Sequence, residues 1–281
     1  MSRVINVSDI QKIVADLCLE ANIVTDKKIC SALQRARGIE TVERTKKALD
    51  MILENIEIAE SERMPTCQDT GMVVVFVEMG QNVSVQGGSL EEAINKGVRD
   101  GYAQGYFRAS VVKDPIDRVN TSDNTPAIIY YNIVEGDKFK ITVMPKGFGS
   151  ENKGAVKMLT PSAGIKGIEE FVIDTVKKAG ADACPPIIVG IGVGGTMDKA
   201  ALLAKEALLL DLDHINLDTY WRGIEEKLLT EINDLGIGTA GLKGVTTALG
   251  LKILTYPTHI AGLPVAVNIG CHVTRHKSAE L

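Results

Sequence analysis

The stretch Cys67-Gln68-Asp69-Thr70-Gly71-Met72-Val73-Val74-Val75-Phe76-Val77 divides the chain into two textures. Upstream of it, apolar residues recur at helical spacing. From Met72 onward they form the continuous apolar run of a strand buried on both faces. A thiol, an amide and a carboxylate stand together at the mouth of that strand, which points to chemistry rather than packing.

Working back from Cys67, Ser8 and Gln11 make a capping-box pattern ahead of the stripe Ile10, Ile13, Val14, Leu17 and Cys18. Leu49, Ile52, Ile56 and Ala59 continue a helical period, so the first 62 residues or so read as a helical N-terminal part. Working forward, residues 72–79 read as a strand, and Ser89 with Glu92 caps a helix through Gly101. Residues 127–134 and 138–144 predict two strands paired as a hairpin through Glu135-Gly136-Asp137. A helix over 162–178, closed by Gly180, leads to a strand over 187–190, a glycine turn and a helix over 197–210. A last helix over 218–234 stops before Gly236, and 251–255 and 265–269 read as short strands. No repeat, low-complexity run or linker interrupts this order. The expected fold class is α/β, a mixed-sheet catalytic unit in a single domain over 1–281 with a helical N-terminal part.

Composition excludes several functions. A chain of 281 residues with 45% apolar and 24% charged residues can bury a large core. Its net charge of -5, with Lys and Arg scattered, gives no electrostatic footprint for nucleic acid or an anionic membrane. No apolar run reaches the roughly 20 residues of a spanning helix, and the polar opening lacks a signal-peptide core. The expected location is the cytoplasm or another reducing compartment.

Five cysteines without an export signal argue against a disulfide framework. Cys18 lies on the first apolar stripe and reads as a small buried hydrophobe, and Cys30 sits similarly in a helical stretch. Cys67, Cys184 and Cys271 are different: each is flanked by turn residues, in Pro65-Thr66-Cys67, Cys184-Pro185-Pro186 and Gly270-Cys271-His272. No Cys-x-x-Cys pair occurs, which argues against a zinc ribbon or a ferredoxin-type run. Three isolated junction cysteines remain able to converge, because loops at strand ends gather at one face of an α/β sheet. Three thiolates leave a four-iron cubane one ligand short. The open iron then acts as a Lewis acid on a substrate carboxylate and hydroxyl while a base takes a proton from the neighbouring carbon, which is hydration and dehydration chemistry.

Four blocks in order carry a resemblance to a known family: Cys67-Gln68-Asp69-Thr70-Gly71; Met144-Pro145-Lys146-Gly147-Phe148-Gly149-Ser150-Glu151-Asn152-Lys153; Cys184-Pro185-Pro186 with Gly190-Ile191-Gly192-Val193-Gly194-Gly195; and Gly262-Leu263-Pro264-Val265-Ala266-Val267-Asn268 leading to Cys271-His272. Together, from about residue 10 to the C-terminus, they resemble the alpha subunit of the class I, iron-sulfur fumarate hydratase and L-tartrate dehydratase family. The resemblance implies that Cys67, Cys184 and Cys271 hold a [4Fe-4S] cluster with one open iron. It implies substrate contacts at Gln68, Asp69, Arg108 and His259 and at the Gly147 to Gly149 turn, with Asp69 and His259 also candidates for catalysis. This chain reads Gly-Phe-Gly at that turn where three glycines are expected, so the substrate-facing amide stays open.

Residue chemistry runs parallel to the resemblance. Arg108 offers a carboxylate a bidentate fork, His259 a second hydrogen bond, and Asp69 a group for orienting a hydroxyl or moving a proton. The bland readings are an Asx-turn for Asp69, a surface ion pair for Arg108 and a satisfied loop polar group for His259. Ser150-Glu151-Asn152-Lys153 lies under the substrate or opens the next element. Neither His272 nor His276 is assigned as a ligand. The family's remaining active-site groups, its catalytic base among them, belong to a second part that is missing before the end at Leu281. The expectation is therefore a separate beta subunit that completes the site for a dicarboxylate substrate, in a higher-order hetero-oligomer. The expected reaction is reversible hydration of fumarate to (S)-malate, with L-tartrate dehydration as the alternative. Two readings from other classes compete. An NAD-dependent dehydrogenase would use Gly190, Gly192 and Gly195 as a G-x-G-x-x-G turn, although its next strand, 211–215, is too polar. A non-enzymatic cluster sensor or assembly subunit would bind the cluster without turnover.

Overall fold

The computed structural model describes residues 3–281. In chain order they form β1 (Arg3–Asn6), α1 (Val7–Ile23), α2 (Lys27–Ile39), α3 (Glu43–Ser61), β2 (Met72–Gly80), β3 (Val83–Gln86), α4 (Leu90–Gln104), β4 (Ile128–Val134) and β5 (Phe139–Lys146). There follow α5 (Phe148–Glu151), β6 (Ala155–Leu159), α6 (Gly164–Ala179), β7 (Ile187–Gly194), α7 (Met197–Ala207), α8 (Thr219–Asp234), β8 (Ala248–Tyr256), β9 (Leu263–Gly270) and β10 (Lys277–Glu280). The fold is α/β with mixed sheets. The chain forms two compact units, one of residues up to Thr25, Asn55–Phe148 and Arg275–Leu281, the other of Asp26–Glu54 and Gly149–Thr274.

In the first unit a four-stranded sheet runs β10-β5-β2-β4. Strand β2 takes a central place because Val73, Val74, Val75 and Val77 are all buried, whereas β4 is largely exposed and stays at the edge. That ordering overturns the expected hairpin. β4 and β5 do occur, but β2 lies between them, parallel to β4 and antiparallel to β5. The turn at Glu135–Asp137 instead straddles the end of β2, where the Gly80 N–H donates to Lys138 O (2.7 Å) and Asn82 N–H to Gly136 O (2.9 Å). A buried strand gains more from two partners than an exposed one, so β2 displaces the local pairing.

Helices α1 and α4 cover this sheet and bury Ile10, Val14, Cys18, Ile94 and Val98. The cap of α1 is Asn6, whose side chain accepts from Ser8 N, two residues before the expected Ser8 box. Ser89 does cap α4, accepting from Glu92 N. Cys18 is fully buried, and burial pushes its thiol pKa up, as for an inert structural cysteine. Cys30, in α2, is only partly buried and does not share that setting.

In the second unit the sheet order is β6-β9-β7-β8. Strand β7 alternates in period two: Ile187, Val189, Ile191 and Val193 enter the core beneath α6 and α8. Each such side chain contributes roughly 1.5–3 kcal/mol of burial. The opposite face carries Gly190 and Gly192, and α7 packs there with Ala200 and Ala204. Gly190 and Gly192 are therefore strand residues and not a turn, because the strand runs on to Gly194. Residues 211–215 form no strand, and Lys28 bonds to Asp211 (2.5 Å) and Asp213 (2.7 Å) within them. That removes the acidic strand end a dinucleotide fold needs. Among the described residues no helix is long and apolar enough to cross a membrane.

Candidate active site

One end of the first unit's sheet gathers four loops. The registers Met72↔Lys146 and Lys277↔Val143 bring the start of β2, the end of β5 and the approach to β10 together, and parallel β4 begins at the same end. Cys67-Gln68-Asp69 lies on the loop entering β2. Cys67 is partly buried, the Gln68 side chain is exposed, and Asp69 is intermediate. On one side Thr66 anchors the loop, its N–H and hydroxyl donating to Asn22 O (2.9 and 3.1 Å). On the other side buried Thr70 donates from Oγ1 to Arg108 O (2.9 Å).

Asp69 uses both carboxylate oxygens. Oδ1 accepts from Gly71 N (3.0 Å), the Asx-turn, and Oδ2 accepts from Phe148 N (2.9 Å). The Phe148 N–H is thereby committed to Asp69. Gly147 is half-buried beside Asp69, and a Cβ there would stand 3.1 Å from Oδ2. Arg108 is exposed, with its carbonyl fixed by Thr70 and no ion pair from its guanidinium among the described residues. Three motifs distant in sequence, around Asp69, Arg108 and Gly147, thus meet at one sheet end.

The loop carrying Arg108 is itself braced. Asn124 is fully buried, accepts from Ser110 N (2.8 Å) and donates to Gly71 O (3.1 Å). Its neighbour Asp123 accepts from Thr125 Oγ1 (2.7 Å), Arg99 Nε (2.9 Å) and Thr125 N (3.0 Å). Burial favours the neutral acid, but these bonds outweigh it and hold the carboxyl at about 2. A carboxyl depressed in the folded state stabilises above its unfolded value near 3.8 and loses that contribution as pH falls towards 2. Asp123→Asn is expected to lower stability by roughly 1–2 kcal/mol at pH 7, with the gap closing between pH 4 and 2, in urea titrations across that range.

In the second unit, Cys184 ends a short 3-10 turn just before β7, and Cys271 follows β9 directly. The antiparallel register Ile188↔Gly270 puts both at one end of the sheet. His272 joins the two loops, since its backbone N–H (3.4 Å) and ring Nδ1 (3.0 Å) both address Cys184 O. Cys184 is exposed and left-handed (φ 53°, ψ 61°), a conformation costly for a residue with a Cβ and typical of functional positions. Glu151 reaches the same sheet: Lys205 donates to its Oε1 (2.6 Å) and Asn268 to its Oε2 (3.1 Å), and Lys153 pairs with Asp182 (2.8 Å). Those contacts favour the reading in which Ser150–Lys153 opens the next element. Gly149, in α5, has an exposed backbone.

His259 stands elsewhere. It follows β8, whose last residue Tyr256 pairs with Gly194 at the far end of β7, and Thr258 beside it donates to Gly195 O (2.8 Å). The eight residues of β7 span about 26 Å between this loop and the Cys184–Cys271 end. Within the unit the fold does not bring His259 to the cysteines.

A family model described as "Fumarate hydratase (Fumerase)" matches residues 11–280. The chain belongs to the fumarate hydratase family. Among relatives of this family member, a Methanocaldococcus jannaschii protein named "Putative L(+)-tartrate dehydratase subunit alpha" is 40% identical over 95% of each chain. The Escherichia coli K12 protein named "L(+)-tartrate dehydratase subunit alpha" is 28% identical over 96% of this chain and 89% of its own.

The donor set suits the iron-sulfur cluster implied by the family resemblance. Cys67, Cys184 and Cys271 lie on loops outside both cores, none is in a disulfide, and each keeps some exposure. Among the described residues no three His, Cys, Asp or Glu side chains are grouped as for a single metal ion.

Proposed function

We propose that this chain is the alpha-type subunit of a two-subunit hydro-lyase that adds water to, or removes it from, a four-carbon dicarboxylate. The observation that carries the reading is the family match over residues 11–280. Relatives named as alpha subunits support a separate beta subunit. Fumarate is the substrate suggested by the family description, and L-tartrate the one suggested by those relatives' names.

In this reading Cys67, Cys184 and Cys271 hold a [4Fe-4S] cluster, which when bound supplies a Lewis-acidic iron open to substrate oxygens. Arg108, exposed and without an ion pair among the described residues, offers two parallel N–H donors to the substrate carboxylate away from the iron. The exposed Gln68 amide adds a donor that discriminates a hydroxyl-bearing acid from an apolar one. Asp69 holds the Phe148 amide and the turn at Gly71, and its remaining lone pairs can accept from a substrate hydroxyl. His259 receives no role at the cysteine end of its unit.

The test is anaerobic reconstitution of this chain with iron and sulfide, alone and with a beta-type subunit of the family. Turnover of fumarate, (S)-malate and L-tartrate is then measured. Turnover is expected only with both subunits, and the ratio of rates on fumarate and L-tartrate assigns the substrate. A cluster-loaded pair inert towards all three acids would leave a sensor or assembly role as the better account.

A further inference from the structure

We propose that Arg275 is a positioning residue for the Cys67-Gln68-Asp69 loop. Its role in turnover rests on the hydro-lyase reading, whereas the positioning itself does not. Arg275 is buried and lies just ahead of β10, at the sheet end where the loop enters β2. Its Nη2 donates to Asp69 O at 2.5 Å across 206 residues of sequence. A charged donor to a carbonyl makes a stronger and more fixed hydrogen bond than a neutral one, and burial here shields it from water.

Arg275 completes a set. The carbonyls flanking the candidate ligand loop each receive a side-chain donor from a different part of the first unit: Asn55 Nδ2 to Thr66 O (2.9 Å), Tyr102 hydroxyl to Thr70 O and Asn124 Nδ2 to Gly71 O (3.1 Å). Burial raises the Tyr102 phenol above its ordinary range and keeps it a donor. Arg275 is the charged member, and it acts on the residue whose carboxylate fixes both Gly71 and Phe148. Turning the Asp69 peptide would move the carboxylate and Cys67 together. Arg275 follows Cys271 by four residues in the sequence.

The metal-free full chain provides a test independent of turnover. Peptide-resolved alkylation rates are compared for Arg275→Met, which keeps the bulk, and Arg275→Lys, which keeps the charge but not the fork. Arg275→Met is expected to speed Cys67 labelling about tenfold and to speed hydrogen exchange at Gly71 and Phe148, with Cys30 and Cys184 unchanged. Arg275→Lys should fall between Arg275→Met and the parent. A folded Arg275→Met chain with parent rates at Cys67, Gly71 and Phe148 overturns the proposal, as does equal acceleration of all five cysteines. If Arg275→Met does not fold, Arg275→Lys decides by the same rates, parent values at Cys67 counting against the role. In the loaded two-subunit enzyme, Arg275→Lys should lower kcat more than it raises KM.

Discussion

Gly192→Val is expected to yield no folded second unit. A Cβ at Gly192 would fall on the carbonyl of Ala200 and stand 2.6 Å from Ala204 N and 2.8 Å from Leu203 Cβ. The first two obstacles are backbone of α7, so no rotamer change relieves them, and the helix must lift from β7. Overpacking into side chains costs about 1–3 kcal/mol; against backbone Gly192→Ala should reach at least about 3 kcal/mol, and valine adds two methyls. Folded domains have only about 5–15 kcal/mol in hand. Gly38→Ala is the control, since beyond its own stretch of helix nothing lies within 4 Å of a Cβ there, and in α2 it should stabilise by up to about 1 kcal/mol. Urea unfolding of the two alanine variants, with soluble yield for the valine, reads the contrast. A parent-like midpoint for Gly192→Ala would mean that α7 does not ride on β7 as described.

The second large effect concerns the thiols. If the proposed [4Fe-4S] cluster sits on these thiols, Cys67→Ser, Cys184→Ser and Cys271→Ser are each expected to abolish cluster uptake on anaerobic reconstitution and to lower the activity of the proposed two-subunit enzyme at least about 100-fold. Loss of even a supporting outer contact costs about 10–100-fold, and loss of a ligand should cost no less. Cys18→Ala and Cys30→Ser should retain full iron content. Cys18 is inside the first core, and burial holds its thiol protonated; Cys30 lies on a helix of the second unit. Iron and sulfide per chain, with visible absorbance, make the comparison. Parent iron content in any one of the three serine variants removes that cysteine from the ligand set.

How far the sequence carried depended on the range of the physics involved. Helices with a local stripe and a local stop were legible: α4 behind Ser89, α6 before Gly180 and α8 between Asp218 and Gly236. Strands β1, β3, β6 and β10 were not, because each is only four or five residues long and owes its extended form to a partner far away in sequence. The glycines of β7 suggested a turn because composition alone cannot show that α7 lies against them.

The same division runs through the candidate site. Sequence by itself determined the family, through four blocks in order, at Cys67–Gly71, Met144–Lys153, Cys184–Gly195 and Gly262–His272. It could not show that Asp69 commits an oxygen to Phe148, that Arg275 holds the Asp69 carbonyl, or that β7 carries His259 away from Cys184 and Cys271. Those are long-range contacts fixed by strand order and register. Burying β2 and β7 at the centres of their sheets decided which loops share an end, because a buried strand must satisfy both edges and both faces, and no local pattern encodes its neighbours.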